Sequence, residues 1–312
     1  MPSTSIILPN YNHARFLPRR IESILDQSFA DFELIILDDC STDNSKEIIE
    51  SYKQKDKRIT THYNAENSGS PFRQWKKGID MASGEFIWIA ESDDYAGPEL
   101  LERLLEALKA NPSAGVAYCQ SNFVNSDDVI IGNHIENLKV LHPTLWESDF
   151  CMPGKEVLAR FMPVINVIPN IGAAVFRKES IKDVDWDKLF SYKLAGDRYF
   201  WINLLSKYDL CFVKDPLNYF RMDGKTVRST NVHTVSYLKE IKSVIFEIHS
   251  RVRLPLKIKN QAIRQWLRHF RSSAGQSRHG KSLPFIFKSF GVFLGLMMIY
   301  FSKPIPNSKP GS

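Results

Sequence analysis

The chain of 312 residues is long enough for one large α/β domain with an appendage, or for two small domains. Hydrophobic residues make up 43% of the chain and aromatic residues 12%, which excludes a disordered protein and allows a substantial core. The four cysteines, at positions 40, 119, 151 and 211, lack zinc-site spacing and indicate no disulfide framework. Because the opening residues contain no signal peptide, we expect a reduced, cytosolic protein.

The net charge of +6 is unevenly distributed along the chain. Residues 251–312 contain 12 Lys and Arg residues and no Asp or Glu, so the rest of the chain is acidic overall. This asymmetry predicts an acidic body and a basic tail with different roles.

Short apolar runs alternate with helical patterns in the first part of the body. Strands are predicted at residues 5–8, 32–37, 59–63, 85–90 and 115–124, and helices at 17–25, 72–81 and 99–110. A further helix is expected after the second strand, capped by Ser41 or Thr42. Alternating strands and helices imply an α/β fold with a mostly parallel sheet, and ligands of such sheets bind beyond the carboxyl ends of the strands.

Candidate site residues directly follow three of the predicted strands: Pro9, Tyr11 and Asn12, then Asp38 and Asp39, then Glu91, Asp93 and Asp94. Carboxylates as close as those of the third set repel one another, so this set predicts a bound cation. The alternative is a solvated turn before a helix N-terminus, where acidic residues are favourable.

The segments SIILPNYNHARFLPRRIESILDQSFADFELIILDDCSTDNS and GEFIWIAESDDY resemble the family 2 glycosyltransferases with the GT-A fold. The resemblance is dense over residues 1–110, weaker up to residue 231, and does not cover the tail. It implies an α/β/α sandwich around a mostly parallel sheet. It also implies transfer of a sugar, with inversion, from a nucleotide diphosphate sugar to an acceptor hydroxyl, and a UDP-sugar is the expected donor.

The resemblance assigns the nucleotide contacts residue by residue. Pro9 and Tyr11 would line the nucleobase pocket, and Asp39 would accept a hydrogen bond from the base. Arg73 lies where the family often places a basic residue near the nucleotide. The alternative for Arg73, together with Lys76, is an ordinary solvated helix face.

The segment Glu91-Ser92-Asp93 occupies the place of the family's D-x-D motif, with Glu in place of the first Asp. By the resemblance, Asp93 would bind Mn²⁺ or Mg²⁺, and Glu91 would face the ribose or a metal-bound water. Asp223 stands where the family often has a histidine, and an aspartate there can also bind a hard cation. The alternative for Asp223 is a simple Asp-Gly turn.

The general base of the family usually lies in a Glu-Asp pair that opens a helix. Here the candidate is Asp197, at the start of the segment RYFWINLLSKY, and Gly196 stands where Glu is common. The alternative for Asp197 is a helix N-cap.

The tail begins with a basic amphipathic pattern. In NQAIRQWLRHFR the apolar side chains share one helical stripe and the arginines lie off it, which is typical of a membrane-surface helix. The apolar run at 283–301 is interrupted by Lys288 and is too short to span a bilayer. We expect a peripheral anchor on the anionic inner face of a bacterial membrane. Packing on the body or on a second subunit is the alternative, and the Phe-rich run disfavours nucleic acid.

The predicted organisation is a nucleotide-sugar-binding half at 1–115, an acceptor-binding half at 116–250 and the tail at 251–312. The expected role is assembly of a bacterial surface polysaccharide or glycolipid, with a saccharide or lipid-linked saccharide as acceptor. One alternative is a non-catalytic nucleotide-sugar binder. Another is a P-loop phosphotransferase, suggested by GQSRHGKS at 275–282; no buried strand precedes this segment and Pro284 follows it, which disfavours that reading.

Overall fold

The computed structural model describes residues 2–222 and 234–276, together with residues 292, 294, 295 and 297. The chain forms two compact units. The first, which we call the sheet unit, comprises Met1–Met152, Ile168–Phe190 and Tyr208–Asp223. The second, the helical unit, comprises Pro153–Val167, Ser191–Lys207 and Gly224–Ser312. The predicted functional division at residues 115 and 250 stays a prediction.

The strands of the described residues all belong to one ten-stranded sheet in the sheet unit. They are β1 (Thr4–Asn10), β2 (Phe32–Asp38), β3 (Ile59–Tyr63), β4 (Phe86–Ile89), β5 (Tyr95–Ala96), β6 (Ala114–Val124), β7 (Ile130–Asn133), β8 (Phe150–Met152), β9 (Ala174–Arg177) and β10 (Asp209–Arg221). Their order is β3-β2-β1-β4-β9-β6-β10-β5, with β7 beside β6 and β8 beside β10. The β3-β2-β1-β4 pairs and the β6-β10 pair are parallel, and β9 runs antiparallel to its neighbours.

Among the described residues, six α-helices belong to the sheet unit: α1 (Leu17–Leu25), α2 (Ser45–Lys53), α3 (Pro71–Met81), α4 (Leu100–Ala110), α5 (His134–Leu138) and α7 (Trp186–Phe190). Short 3₁₀ helices lie at Leu145–Glu147, Ile171–Ala173 and Lys178–Ile181. The helical unit contains α6 (Gly154–Arg160), α8 (Gly196–Leu205), α9 (Val235–Arg251) and α10 (Leu256–Gln276).

The core of the sheet unit follows from the apolar patterns. Leu34, Ile35, Ile36 and Leu37 of β2 are all buried, as expected for a parallel strand covered on both faces. Helix α4 buries leucines at 100, 101, 104, 105 and 108, whose spacing forms one helical stripe. The predicted α/β fold with a mostly parallel central sheet is confirmed.

The expectation of a reduced chain without disulfides is wrong for one pair of cysteines. Strands β8 and β10 are antiparallel neighbours, and their register places Cys151 opposite Cys211. The two side chains form a disulfide across a sequence separation of 60 residues. Cys40 and Cys119 are free thiols. Because only strand pairing brings Cys151 and Cys211 together, their spacing in the sequence could not reveal the bond.

The expected cap of α2 is also wrong. The helix begins at Ser45, and its N-cap position is Asn44, which makes no side-chain capping bond. The Ser41 hydroxyl instead donates to Asp38 Oδ1 at 2.6 Å, and the Thr42 N–H donates to Asn12 Oδ1 at 2.7 Å. These two residues shape the loop that follows β2 rather than the helix.

Candidate functional site

The carboxyl ends of β2, β1 and β4 lie side by side at one edge of the sheet. The parallel register places Asn10 opposite Asp38, and Ile7 opposite Ile89. The ladder continues beyond the strands, because the Asp39 N–H donates to the Asn10 carbonyl at 2.9 Å. The Ala90 N–H likewise donates to the Ile7 carbonyl at 2.7 Å. The three polar segments that follow these strands therefore meet at this edge.

The loops after β1 and β2 are joined by side-chain hydrogen bonds. The Asn10 amide donates to Asp38 Oδ1 at 2.8 Å. The Asn12 N–H donates to Ser41 Oγ at 2.9 Å, and the Ser41 N–H donates to Asp38 Oδ2 at 2.9 Å. These bonds fix the backbone on both sides of Tyr11, whose side chain is 46% exposed. An exposed aromatic ring on a rigid loop is suited to stacking on a planar ligand. Pro9, the penultimate residue of β1, is half-buried.

Asp39 is almost fully buried and is held by four donors. Its Oδ1 accepts from the Asn64 amide (2.6 Å), the Gln74 amide (2.8 Å) and the Ser68 N–H (2.9 Å). Its Oδ2 accepts from the Ser68 hydroxyl at 2.7 Å. Oδ1 thus accepts three of these hydrogen bonds and Oδ2 one, so Oδ2 retains capacity for a ligand N–H. Asn64, Ser68 and Gln74 were missed by sequence reasoning, because they follow β3 or lie on α3 without any motif.

Arg73 is exposed on the first turn of α3, and its guanidinium lies 4.7 Å from the centre of the Phe190 ring. Lys76 pairs with Asp80 one turn along the same helix at 2.6 Å. Lys76 is half-buried and also lies 5.8 Å from the centre of the Trp186 ring. A nucleotide contact by Arg73 and its alternative, a solvated helix face, both stay predictions. It is Gln74, the next residue of the helix, that reaches Asp39.

Residues 91–94, which we call the acid turn, alternate between outward and inward side chains. Glu91 and Asp93 are half-exposed, whereas Ser92 and Asp94 are buried. The Ser92 hydroxyl lies 2.8 Å from His13 Nδ1, which links the acid turn to the loop after β1. Asp94 accepts from the Asn170 amide at 2.6 Å. Its burial, with the charges of Asp93 and Glu91, raises its pKa well above the usual range.

Arg221, at the end of β10, anchors the acid turn from the other side. Its backbone N–H donates to Asp94 Oδ1 at 2.8 Å, and its Nε donates to the Asp93 carbonyl at 2.7 Å. The side chain is almost fully buried, forms an ion pair with Asp128 at 2.5 Å, and lies 4.4 Å from the centre of the Phe16 ring. Arg221 is not among the predicted site residues, although it lies only two residues before the predicted cation ligand Asp223.

A divalent cation would have to be bound partly by its ligand at this site. Within residues 2–222 and 234–276, no three or more His, Cys, Asp or Glu side chains form a group that could hold a metal. Mg²⁺, however, typically takes one or two protein carboxylates together with substrate phosphates, and Glu91 and Asp93 fit this requirement. Asp94 does not, because it is bound inward. Asp223 lies outside the described residues.

Asp197 belongs to the helical unit, in the first turn of α8. Its Oδ2 accepts from the Asn166 amide at 3.1 Å, and its Oδ1 accepts from the Arg198 N–H at 2.7 Å. The carboxylate is half-exposed. The N-cap position of α8 is Ala195, so the interpretation of Asp197 as the helix cap is wrong.

Glu240 of α9 fixes the segment that leads into α8. Its carboxylate accepts three successive backbone N–H groups, those of Lys193 (3.1 Å), Leu194 (2.9 Å) and Ala195 (2.9 Å). The entry to the helix that carries Asp197 is thus held by a charged acceptor. No motif marks Glu240, because its partners are backbone groups more than forty residues earlier in the chain.

The amphipathic stripe of the tail packs partly within the helical unit. Ala262 and Trp266 of α10 are buried, and Trp266 Nε1 donates to the Leu238 carbonyl of α9 at 3.4 Å. For these two residues the alternative interpretation, packing on the body, is the one observed. Arg264, Arg268 and Arg271 are exposed.

Further along the tail, Val292 is buried, and a Cβ placed on Gly295 would lie 3.2 Å from Lys242 Nζ of α9. Among the described helices, none has the length and apolar character needed to cross a membrane. Residues 277–282 of the P-loop match and most of the predicted apolar run lie outside the described residues.

The family model of glycosyl transferase family 2 matches residues 5–184. The chain belongs to this family. Glycosyltransferase GlyG of Streptococcus pneumoniae is 32% identical over 252 residues, which cover 77% of this chain and 77% of GlyG. TuaG of Bacillus subtilis is 38% identical over 105 residues, but these cover only 34% of this chain and 41% of TuaG. The predictions of the family and of an enzyme are thereby confirmed.

Among solved structures, TarS of S. aureus (residues 1–349), crystallised with UDP-GlcNAc, superposes on this family 2 chain with a TM-score of 0.71. The superposition covers 96% of this chain and 81% of that one, at 19% sequence identity. At this identity the likeness shows the fold, and it confirms the predicted GT-A architecture.

Proposed function

We propose that this enzyme transfers a sugar from a nucleotide diphosphate sugar, most simply a UDP-sugar, to an acceptor hydroxyl with inversion. The observation that carries the proposal is the meeting of the Tyr11 loop, Asp39 and the acid turn at the carboxyl ends of three adjacent strands. Open α/β sheets bind their ligands at this edge. A nucleobase can stack on an aromatic ring, and its N–H groups need an oriented hydrogen-bond acceptor. A diphosphate needs a positively charged or metal-bound site. This edge supplies Tyr11, Asp39 and the acid turn for these requirements.

In this proposal the base stacks on Tyr11 beside Pro9 and donates an N–H to Asp39. The four donors to Asp39 fix the direction of its carboxylate before the nucleotide arrives. Such pre-organisation reduces the entropy lost on binding. Ser92 and Arg73 are assigned to the nucleotide side of the site, Ser92 through its contact with the His13 loop.

Asp93 would hold Mn²⁺ or Mg²⁺ together with the diphosphate, with Glu91 facing the ribose or a metal-bound water, and we assign Asp223 to the same cation. When bound, such a cation neutralises the charge that develops on a diphosphate leaving group. Arg221 contributes by fixing the backbone of Asp93, so that the carboxylate is presented from a rigid turn.

Asp197 is proposed as the general base. As the acceptor oxygen bonds to the anomeric carbon, the bond from that carbon to the phosphate oxygen breaks and the nucleoside diphosphate leaves with the electron pair. The acceptor proton passes to the Asp197 carboxylate. A single displacement of this kind inverts the anomeric configuration. Asn166 and the Arg198 N–H orient the carboxylate for this task.

For the acceptor, we propose a saccharide or lipid-linked saccharide of a bacterial cell-surface polymer. TarS is named a poly(ribitol-phosphate) β-N-acetylglucosaminyltransferase, and TuaG has teichuronic acid biosynthesis in its name. Both relatives match only part of their length, so they support the class of acceptor and not its identity.

We further propose that the enzyme works at the inner face of the cell membrane, bound through the tail. The exposed arginines of α10 support this, because each basic residue near an anionic surface contributes about 1 kcal/mol. Replacing Arg264, Arg268 and Arg271 with Gln should therefore lower partitioning onto phosphatidylserine vesicles by about 10²-fold at low salt. The matched control replaces Lys55, Lys57 and Lys109, three exposed lysines of the sheet unit. Equal loss in both variants would contradict attachment by the tail.

The transfer proposal is tested by incubating the enzyme with nucleotide sugars, Mn²⁺ and a panel of lipid-linked acceptors. We expect thermal stabilisation by one class of nucleotide with Mn²⁺, and release of that nucleoside diphosphate. Binding without transfer or hydrolysis of any donor would favour the non-catalytic binder instead.

A further inference from the structure

Helix α1 carries a charged residue where its pattern calls for an apolar one. The buried stripe of this helix consists of Leu17, Arg20, Ile21 and Ile24. Arg20 is 0% exposed, as buried as its apolar neighbours on the stripe. A leucine or methionine would satisfy packing at this position, and burying a charge is unfavourable unless an opposite charge compensates for it. Packing alone therefore does not explain Arg20.

The Arg20 guanidinium is surrounded but makes no hydrogen bond to a described residue. Nε, Nη1 and Nη2 are all buried, and none has a partner within residues 2–222 or 234–276. The guanidinium lies 4.9 Å from the centre of the buried Trp88 ring. A Cβ on Gly172 would be 3.5 Å from Nη2, so the backbone of the 3₁₀ helix Ile171–Ala173 is packed close against the charge.

The charges that act on Arg20 are the three carboxylates of the acid turn, Asp94 first and then Glu91 and Asp93. Burial lowers the pKa of Arg20 to about 10, and these carboxylates oppose that shift, so the guanidinium remains a cation at neutral pH. Burial and the charges of Asp93 and Glu91 raise the pKa of Asp94, and the field of Arg20 opposes that shift by favouring the charged carboxylate.

Asp94 in turn ties the acid turn to two other segments of the sheet unit. It accepts from the Asn170 side chain, just before the 3₁₀ helix, and from the backbone N–H of Arg221 at the end of β10. Both donors are neutral groups. Arg221 directs its own guanidinium to Asp128 and to the Asp93 carbonyl. Arg20 is thus a buried cation close to this junction, because Trp88 belongs to the strand that leads into the acid turn and Gly172 lies two residues after Asn170.

We propose that Arg20 is a positioning residue for the donor site: its buried cation is the fixed counter-charge that anchors Asp94, and with it the acid turn, in the geometry that receives a metal-bound diphosphate. This inference rests on the proposed function. Arg20 touches neither donor nor acceptor in this account. It compensates from below for carboxylates that would otherwise repel one another, and it does so whether or not a ligand is bound.

The test compares full-length variants by melting temperature and by calorimetric titration of UDP in the presence of Mn²⁺. The variants are Arg20→Met, Arg20→Lys, Asp94→Asn and the double variant that combines Arg20→Met with Asp94→Asn. Ile24→Ala is the matched control, since Ile24 is a buried residue of the same stripe without charge. Both Arg20→Met and Ile24→Ala can lower stability. Only a positioning role of Arg20 would also lower the affinity for UDP, which the titration measures.

We expect Arg20→Met to weaken UDP binding by about tenfold or more, while Arg20→Lys keeps most of the affinity. The double substitution, which removes both charges, should bind at least as well as Arg20→Met alone. Ile24→Ala should lose stability but not affinity. Failure of Arg20→Met to fold, with recovery in the double variant, is a stronger form of the same coupling.

Three results would overturn the proposal. Arg20→Met could bind UDP as tightly as the wild type, or it could lose no more affinity than Ile24→Ala does. The third is a double variant in which the fold-losses of affinity of the two single variants simply multiply. Unfolding of both Arg20→Met and the double variant would also overturn it. If the wild-type enzyme does not bind UDP with Mn²⁺, the proposed function fails on its own. The link between Arg20 and Asp94 is then decided by melting temperatures alone, and additive losses contradict it.

Discussion

The strand edge of the sheet unit and the start of α8 in the helical unit both present carboxylates, but they hold them by different means. At the strand edge, the parallel register fixes the positions of Asp39 and the acid turn, and side chains from adjacent loops orient them. At α8, the position of Asp197 depends on a hydrogen bond from Asn166. It also depends on what we call the Glu240 clamp, the three hydrogen bonds that Glu240 accepts from the backbone before the helix. The first site is a product of sheet geometry, and the second of a few contacts distant in sequence.

This difference has a consequence for how each site responds to substitution. A sheet edge is supported by many ladder bonds, so replacing a half-exposed carboxylate there, such as that of Asp93, should remove chemistry and leave the fold intact. The entry to α8 relies on one carboxylate that holds three N–H groups, so its geometry should be sensitive to a single remote change.

The largest effect is expected for Asp93→Asn at the strand edge. Loss of a cation ligand removes several kcal/mol of charge stabilisation from the leaving group, so we expect kcat/KM to fall by about 10³-fold. The melting temperature without ligand should stay close to that of the wild type. Transfer assays with and without added Mn²⁺ measure the loss, and an active variant, or full wild-type activity in excess EDTA, would contradict the role of Asp93.

Asp197→Asn should reduce kcat by about 10²-fold or more, because the proposed general base is removed while the shape is kept. Donor affinity should change little, since the proposed nucleotide contacts all belong to the sheet unit. Steady-state kinetics with calorimetry of UDP binding separate the two quantities. A variant that loses affinity for UDP but keeps kcat would mean that Asp197 belongs to the donor site instead.

Glu240→Ala should show that the α8 site depends on a remote contact. Three backbone N–H groups lose a charged acceptor in this variant, but Glu240 is half-exposed, so water can replace part of the lost bonding. We therefore expect the free energy of unfolding to fall by about 1–3 kcal/mol in total. We expect kcat to fall by about tenfold, because the Asp197 carboxylate is no longer held in a fixed position. Lys239→Ala, an exposed neighbour on α9, is the control for urea unfolding and kinetics. If both variants retain wild-type kcat, the clamp has no catalytic consequence.

The smallest effect is expected at Cys40, beside Asp39 on the strand edge. Cys40 has a φ of 63°, in the left-handed region where a Cβ is unfavourable. Cys40→Gly should therefore raise the free energy of unfolding by about 0.5–1 kcal/mol without altering UDP affinity. Cys40→Ala keeps the Cβ and serves as the control. A glycine variant no more stable than the alanine variant would show that the backbone is not strained there.

The same comparison explains what the sequence could reveal. Tyr11, Asp39 and the acid turn could be found because each follows an apolar run, and parallel strands end at a common edge. Asn64, Gln74 and Arg221 could not, because their partners are identified only when α3 and β10 are packed on the sheet. The Cys151–Cys211 bond depends in the same way on the pairing of β8 with β10.

In the helical unit, less could be predicted. The pattern of α10 identified the buried stripe of Ala262 and Trp266, but apolar periodicity does not distinguish a membrane from a neighbouring helix. Asp197 was found only through its place in a family motif. No local sequence pattern identifies Glu240, because its hydrogen-bond partners are three backbone N–H groups.

Calorimetric titration tests most directly whether a metal-bound diphosphate binds at the strand edge. UDP is titrated into the wild-type enzyme and into Asp93→Asn, each with Mn²⁺ and with EDTA. The strand-edge account predicts that Mn²⁺ strengthens UDP binding to the wild type by about tenfold or more, because metal and diphosphate bind as a unit. It predicts that Asp93→Asn binds UDP weakly, and equally so in Mn²⁺ and in EDTA. Wild-type affinity that is the same with and without Mn²⁺, or a variant that keeps the full response to Mn²⁺, would contradict the account.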